Sequence, residues 1–154
     1  MRTLIFFFLL SLYSYCSDAQ AISQFDIDKR VADVLSNLRE LKKAEKMNDQ
    51  SGQRLVYFDD KEIRLISVKV TGDSTQKNVH WFFDQGRVIF IETVWTEISS
   101  GNIVVDEKYY FNNGYLTAWL NSVGQKIPQS SPIFEKVKNE LAVYCARIYD
   151  ENYQ

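Results

Sequence analysis

The chain has 154 residues, of which 25% are charged and 45% are hydrophobic, and its formal net charge is −2. This length and composition predict a globular chain with one domain and a core of useful size, and they exclude a disordered chain. Basic residues are interspersed with acids, so no basic block can follow a phosphate backbone and we expect no nucleic-acid partner.

The first residues have the pattern of a signal peptide. Arg2 precedes an apolar stretch of signal-peptide length, and Ser17 and Ala19 place small residues before a cleavage point. The apolar stretch is too short to cross a bilayer comfortably. We therefore predict a signal peptide at 1–19, a single α+β domain at 20–154, and an exported protein, either periplasmic or secreted, without a membrane span after cleavage.

Two other ways of processing this segment stay open. The first is cleavage after Ala21, and the second is lipid attachment at Cys16, as in a bacterial lipoprotein. Tyr15, directly before that cysteine, fits lipoprotein processing poorly. After cleavage Cys145 is the single cysteine, so no internal disulfide is expected and the fold must depend on its core.

An amphipathic helix is predicted at each end of the domain. Apolar residues recur at three- and four-residue steps from Ile27 to Leu41, with Ser23 or Asp26 as the N-cap, and the polar segment 48–52 ends this helix. The second helix begins at Pro132, after Ser131 as the N-cap. Its apolar stripe consists of Phe134, Val137, Leu141, Tyr144 and Ile148.

Three similar turns divide the region between the helices. The sequences FDDK, FDQG and FNNG begin at Phe58, Phe83 and Phe111, and each lies between two runs of strand-forming residues. Asn-Gly is a strong hairpin signal because both residues tolerate positive φ. We therefore predict an α+β fold with an N-terminal helix, a six-stranded antiparallel meander and a C-terminal helix, both helices on one sheet face. The predicted strands are 54–59, 62–70, 77–84, 87–98, 102–112 and 115–121.

Alternation along the strands predicts two faces of the sheet. The first face carries Phe58, Phe83 and Phe111, and we expect the helices to cover it together with Val56, Val79, Trp81 and Tyr109. The second face is expected to stay open and to form the contact surface of the protein. Its candidate contact residues are Tyr57, His80, Phe82, Lys108 and Tyr110. Trp95 and Trp119 are not assigned to a face, because a bulge beside a turn shifts the return strand by one residue.

The sequence YYFNNG, from Tyr109 to Gly114, resembles the Tyr-Tyr-x-Asn-Gly turn of bacterial MORN-type repeats. The windows Tyr57–Lys61 and Trp81–Gly86 are similar to it, although Lys61 replaces the glycine in the first of them. The resemblance implies tandem hairpins, which in that family are usually linked to protein or lipid contacts. It assigns no role to any residue here.

Few residues point to chemistry. His80 is the only histidine, and no nucleophile or triad spacing accompanies it, so we predict no catalytic residues. Zinc-ligand spacing, a phosphate loop and a dinucleotide fingerprint are absent from the sequence, so neither a metal nor a cofactor is expected. Carboxylates in the turns are expected to bond their own backbone.

Three functional hypotheses follow. The leading one is an exported, non-catalytic binding or protein-interaction module that uses the second face, because large exposed apolar patches often mark interaction sites. Its partner is an unidentified protein or small ligand. The alternatives are a hydrolase that uses His80 with a carboxylate and a structural homodimer through the same face.

Overall fold

The structure is a computed structural model that describes residues 22–48, 52–60 and 62–153. The predicted signal peptide and Cys16 lie outside these residues. A seven-stranded antiparallel sheet follows one helix and precedes another, and its strands lie side by side in the order of the sequence. The elements are α1 Gln24–Ser36, β1 Lys42–Asn48, β2 Gly52–Phe58, β3 Ile63–Thr71, β4 Thr75–Asp84, β5 Arg87–Glu97, β6 Ile103–Asn112, β7 Tyr115–Leu120 and α2 Pro132–Tyr153.

The α+β class is confirmed, and the strand count differs from the prediction by one. Strand β1, Lys42–Asn48, occupies a segment that the sequence assigned to the end of the first helix. Lys, Ala and Glu favour helix, but this preference is worth only tenths of a kcal/mol per residue (about 0.7 at most). Continuous antiparallel pairing with β2, from Lys42 opposite Phe58 to Asn48 opposite Gly52, overrides it.

Two of the hairpins have the tight turns that the sequence predicts. Gln85-Gly86 and Asn113-Gly114 have positive φ throughout, at 51° and 70° and at 51° and 82°. Positive φ at both central residues is the pattern of a two-residue turn whose twist matches the flanking strands. In both hairpins the register shifts within the strand that precedes the turn. The shift lies between Phe82 and Phe83 in β4 and between Tyr110 and Phe111 in β6.

Both faces of the sheet are apolar, and each has its own core. The buried side chains of the first face pack with Phe134 and Ile148 of α2. Those of the second face pack with Ile27 and Val34 of α1. The first core consists of Val56, Ile63, Ile66, Val79, Phe83, Val88, Ile91, Tyr109, Phe111, Leu116 and Trp119, and the second of Leu65, Phe82, Ile89, Phe90, Tyr110 and Ala118.

The positions of the helices therefore differ from the prediction that both lie on one face. The sets that pack with α1 and with α2 alternate along the strands, as Phe82 and Phe83 show, so the helices lie against opposite faces. The expected grouping of Phe83 and Phe111 with Val79 and Tyr109 is confirmed. The physical reason for the difference is that an apolar second face also needs a cover.

Local signals position both helices. Ser23 and Asp26 form a capping box at the start of α1, and Arg30 forms an ion pair with Asp84 at the end of β4. At the start of α2 the Ser131 hydroxyl accepts a hydrogen bond from the backbone N–H of Phe134, at 3.3 Å, as the N-cap prediction requires. Of the helices in the described ranges, none is long and apolar enough to cross a membrane.

The two edge strands are protected in different ways. Strand β1 presents exposed Lys42 and Lys43, and charged side chains discourage the addition of another strand. Strand β7 is covered by the segment that leads to α2. The backbone N–H of Ile127 donates to the carbonyl of Trp119 at 2.9 Å, and the Gln129 side chain donates to the carbonyl of Thr117.

The hairpin turn at Gly114 gives a test of this geometry. Gly114 has a φ of 82°, which is costly for a residue with a Cβ atom, so we expect Gly114→Ala to lower the free energy of unfolding by about 1 kcal/mol. Urea unfolding followed by circular dichroism measures the change. Gly114→Asn is the matched control and should lose less, because asparagine tolerates this conformation. Equal stability of Gly114→Ala and the parent would contradict the turn.

Candidate functional site

The aromatic residues of the predicted contact surface lie under α1. Phe82 and Tyr110 are only 2% and 4% exposed, and they pack with Ile27 and Val34. Phe90 lies between them, with ring centroids 5.7 Å from Phe82 and 5.0 Å from Tyr110. The predicted aromatic row therefore exists, but it forms core packing and is not available to a partner.

Tyr110 also ties α1 to the sheet through a polar contact. Its hydroxyl donates a 3.0 Å hydrogen bond to the carboxylate of Asp28. Burial, followed by this bond to a carboxylate, raises the pKa of Tyr110 to about 12. The phenol therefore stays protonated at physiological pH and acts as a structural donor.

Tyr57 lies at the margin of the same core and is half-buried. The two polar residues of the predicted surface, His80 and Lys108, lie on either side of Glu92 in one cross-strand row. Lys108 and Glu92 form an ion pair of 3.9 Å. Desolvation lowers the pKa of His80, and the nearby charge of Glu92 opposes that shift.

The geometry of this row gives the hydrolase hypothesis little support. A general base needs a partner within hydrogen-bond reach, and within the described residues no hydrogen bond joins the His80 imidazole to a carboxylate or hydroxyl. In the same part of the chain, no group of three or more His, Cys, Asp and Glu side chains is placed to hold a metal ion. Cys145 packs against the first core, and burial raises the pKa of its thiol to about 11.

A cleft on the other side of the sheet is the best-formed candidate site. It has a volume of about 530 Å³ and lies between α2 and the outer half of the first face. Small-molecule sites typically have volumes of about 300–1,000 Å³ and combine apolar walls with a few polar groups. The lining residues are Arg54, Val68, Lys77, Val79, Trp81, Ile91, Thr93, Trp95, Val105, Glu107, Tyr109, Leu141, Tyr144, Arg147 and Ile148.

Aromatic side chains form much of the cleft. Trp81 and Trp95 line it from β4 and β5, and Tyr109 lines it from β6. The Tyr109 ring stacks on Trp119 with centroids 5.8 Å apart, and its hydroxyl donates to Glu107. Burial and this hydrogen bond raise the pKa of Tyr109 well above its usual range, so the phenol stays neutral. Rigid aromatic walls of this kind suit a flat or apolar ligand.

Charged groups lie around this apolar surface. Arg54 reaches Glu151 of α2 at 3.0 Å, and Arg147 lies 3.8 Å from the same carboxylate. The Lys77 ammonium lies over the Trp95 ring, 5.1 Å from its centroid. Tyr144, which the sequence placed in the buried stripe, is 50% exposed at the cleft and has the Arg147 guanidinium 5.1 Å from its ring centroid.

A larger depression, of about 790 Å³, runs along α1 but is a poorer candidate. It is lined by Ile22, Ser23, Asp26, Lys29, Arg30, Asp33 and Arg64. Five of its seven lining side chains are charged, so it offers a ligand less apolar surface to bury than the cleft does.

The sequence of β4 was sufficient to predict that several lining residues of the cleft share one face. Lys77, Val79 and Trp81 alternate with the residues of the second face and therefore share the first face. From the sequence we expected the helices to cover this face, whereas the cleft leaves its outer half open. Trp95 and Trp119, which could not be assigned, both lie on the first face.

Comparison of this chain with protein-family models, with curated proteins and with solved structures finds no match.

The hydrogen bond between Tyr110 and Asp28 can be tested by removing one hydroxyl. We expect Tyr110→Phe to lower the free energy of unfolding by about 1 kcal/mol, because the Asp28 carboxylate loses a donor while the ring packing is kept. Urea unfolding at neutral pH measures this change. Tyr115→Phe is the matched control, since Tyr115 is 72% exposed, and an equal effect of both substitutions would contradict the proposed tie.

The lowered pKa of His80 gives a pH dependence with a definite sign. Protonation is harder in the folded state than in the unfolded state, where the pKa is near 6.5, so the resulting stability is present above that pH and lost below it. From about pH 7.5 to about pH 5.5 the free energy of unfolding should fall more steeply for the parent than for His80→Gln. Parallel curves would show that His80 does not contribute.

Proposed function

We propose that this protein is an exported, non-catalytic binding module that holds a small, largely apolar ligand in the cleft between α2 and the first face. The observation that carries this proposal is the combination of a volume of about 530 Å³ with walls of Trp81, Trp95 and Tyr109. A binding role was the leading hypothesis from the sequence. The proposed contact surface lies on the first face of the sheet, whereas the sequence indicated the second.

Three features support this proposal. The cleft is lined by α2 on one side and by five adjacent strands on the other, so its walls belong to regular elements. Regular elements hold side chains more precisely than loops do, which favours recognition of a defined shape. The apolar lining from Val79, Ile91 and Val105 gives a ligand surface to bury, at roughly 25 cal/mol for each Å². The resemblance to MORN-type repeats, which are linked to protein or lipid contacts, is in keeping with a binding role and stays a prediction.

The two alternative functions from the sequence, a hydrolase and a homodimer, stay predictions, and each has its own test. A hydrolase would use His80 with Glu92, which is its cross-strand neighbour on the second face. Replacing His80 would then abolish an activity and leave ligand binding in the cleft unchanged. A homodimer would show a molecular mass that rises with protein concentration in sedimentation equilibrium.

Binding of a neutral aromatic probe tests the cleft directly. Phenylnaphthylamine, whose emission increases in apolar surroundings, should bind the folded protein saturably, because the cleft removes its rings from water. Thr93→Trp places a large indole in the lining and should weaken binding about ten-fold. The fluorescence of the probe, excited at a wavelength that the protein does not absorb, measures the dissociation constants for the parent and for Thr93→Trp.

The matched control is Val94→Trp, which adds the same side chain one residue along β5 and therefore on the second face. It should leave the dissociation constant unchanged. Absence of saturable binding to the folded parent, or equal loss in both variants, would contradict the proposed function. Near-ultraviolet circular dichroism of each variant confirms that its core is folded.

A further inference from the structure

We propose that the ligand of the cleft is an organic anion, with an apolar body held by the aromatic walls and a carboxylate or sulfonate group bound by Lys77. This inference rests on the proposed function and adds the chemical class of the ligand. Its first support is the balance of charge, since three cations line the cleft and Glu107 is the single carboxylate among the lining residues.

The carboxylates near the cleft already have partners. Glu107 accepts the hydroxyl hydrogen of Tyr109. Glu151 lies within ion-pair distance of both Arg54 and Arg147, so the two guanidinium groups share one carboxylate. Even with Glu151 included, the cations exceed the carboxylates by one. An anion entering the cleft therefore meets a net positive lining, which favours its binding over that of a cation.

Lys77 is the cation best placed to bind this anion. Its ammonium group lies over Trp95, and this cation–π contact holds it beside the aromatic wall. Within the described residues no carboxylate lies within 4.0 Å of Lys77, in contrast to Lys108 with Glu92 on the other face. A charge fixed next to an apolar wall suits a ligand whose anionic group is attached directly to an apolar body.

Two dyes that differ in one group test the inference. Anilinonaphthalene sulfonate is phenylnaphthylamine with an added sulfonate, so their rings occupy the same volume in the cleft. Lys77→Gln should weaken binding of the sulfonate dye on the order of five-fold and leave the neutral dye unchanged, because only the charge interaction is removed. Raising the salt concentration should weaken only the sulfonate dye.

Lys69→Gln is the matched control, since Lys69 lies on the neighbouring strand and on the opposite face of the sheet. It should leave both dissociation constants unchanged. An equal loss in Lys69→Gln would show a general effect of net charge, and an equal loss of both dyes in Lys77→Gln would show that Lys77 only shapes the cleft. Either result overturns the inference and leaves the binding function standing. Failure of the neutral dye to bind overturns the binding function itself.

Competition against the sulfonate dye distinguishes the possible apolar bodies. Naphthoate and dodecanoate carry the same carboxylate on a ring system and on an alkyl chain. Displacement by either supports the inference and identifies the body that fits the cleft. Displacement by the matching neutral alcohols at the same concentrations would overturn it, as would displacement by inorganic sulfate alone.

Discussion

The architecture depends on a pair of adjacent side chains that precedes each of the two tight hairpin turns, Gln85-Gly86 and Asn113-Gly114. In Phe82-Phe83 and Tyr110-Phe111 the two residues point to opposite faces, and the register shifts between them. Each turn therefore places one large aromatic ring on each side of the sheet. A sheet that is apolar on both sides cannot leave either side in water, so it needs two covers.

The two helices cover their faces of the sheet to different extents. The 13 residues of α1 suffice for the aromatic row of the second face, beyond which that face becomes polar with His80, Glu92 and Lys108. The first face stays apolar and aromatic further from the hairpin turns, as far as Trp95 and Val105. The longer helix α2 follows it but does not close over its outer half. The cleft is the part of the first face that extends beyond the packed core.

Much of this fold could be predicted from the sequence, since the pattern of the turns specifies the hairpins and the alternation specifies which residues share a face. The choice of face for each helix could not be predicted, because an apolar stripe fits any apolar surface of suitable shape. Trp95 escaped assignment because the register shifts beside the turn that precedes its strand, between Phe82 and Phe83, and this shift moves the return strand by one residue. Strand β1 was missed because its lysines and alanine favour helix locally, while its pairing with β2 is a non-local effect.

The candidate site could likewise be predicted only in part. Lys77 and Trp81 could be placed on one face, but the gap beside them depends on where α2 lies.

The protected edges of the sheet determine how this molecule can meet copies of itself. The covering segment at β7 already occupies the carbonyl groups of Thr117 and Trp119 that an incoming strand would use, and at β1 an approaching strand would meet Lys42 and Lys43. Growth of the sheet from one molecule into the next is thus blocked on one side and opposed on the other. This arrangement protects the protein when its core opens transiently, since the edges of its sheet stay poorly available for the ordered strand stacking that leads to fibrils.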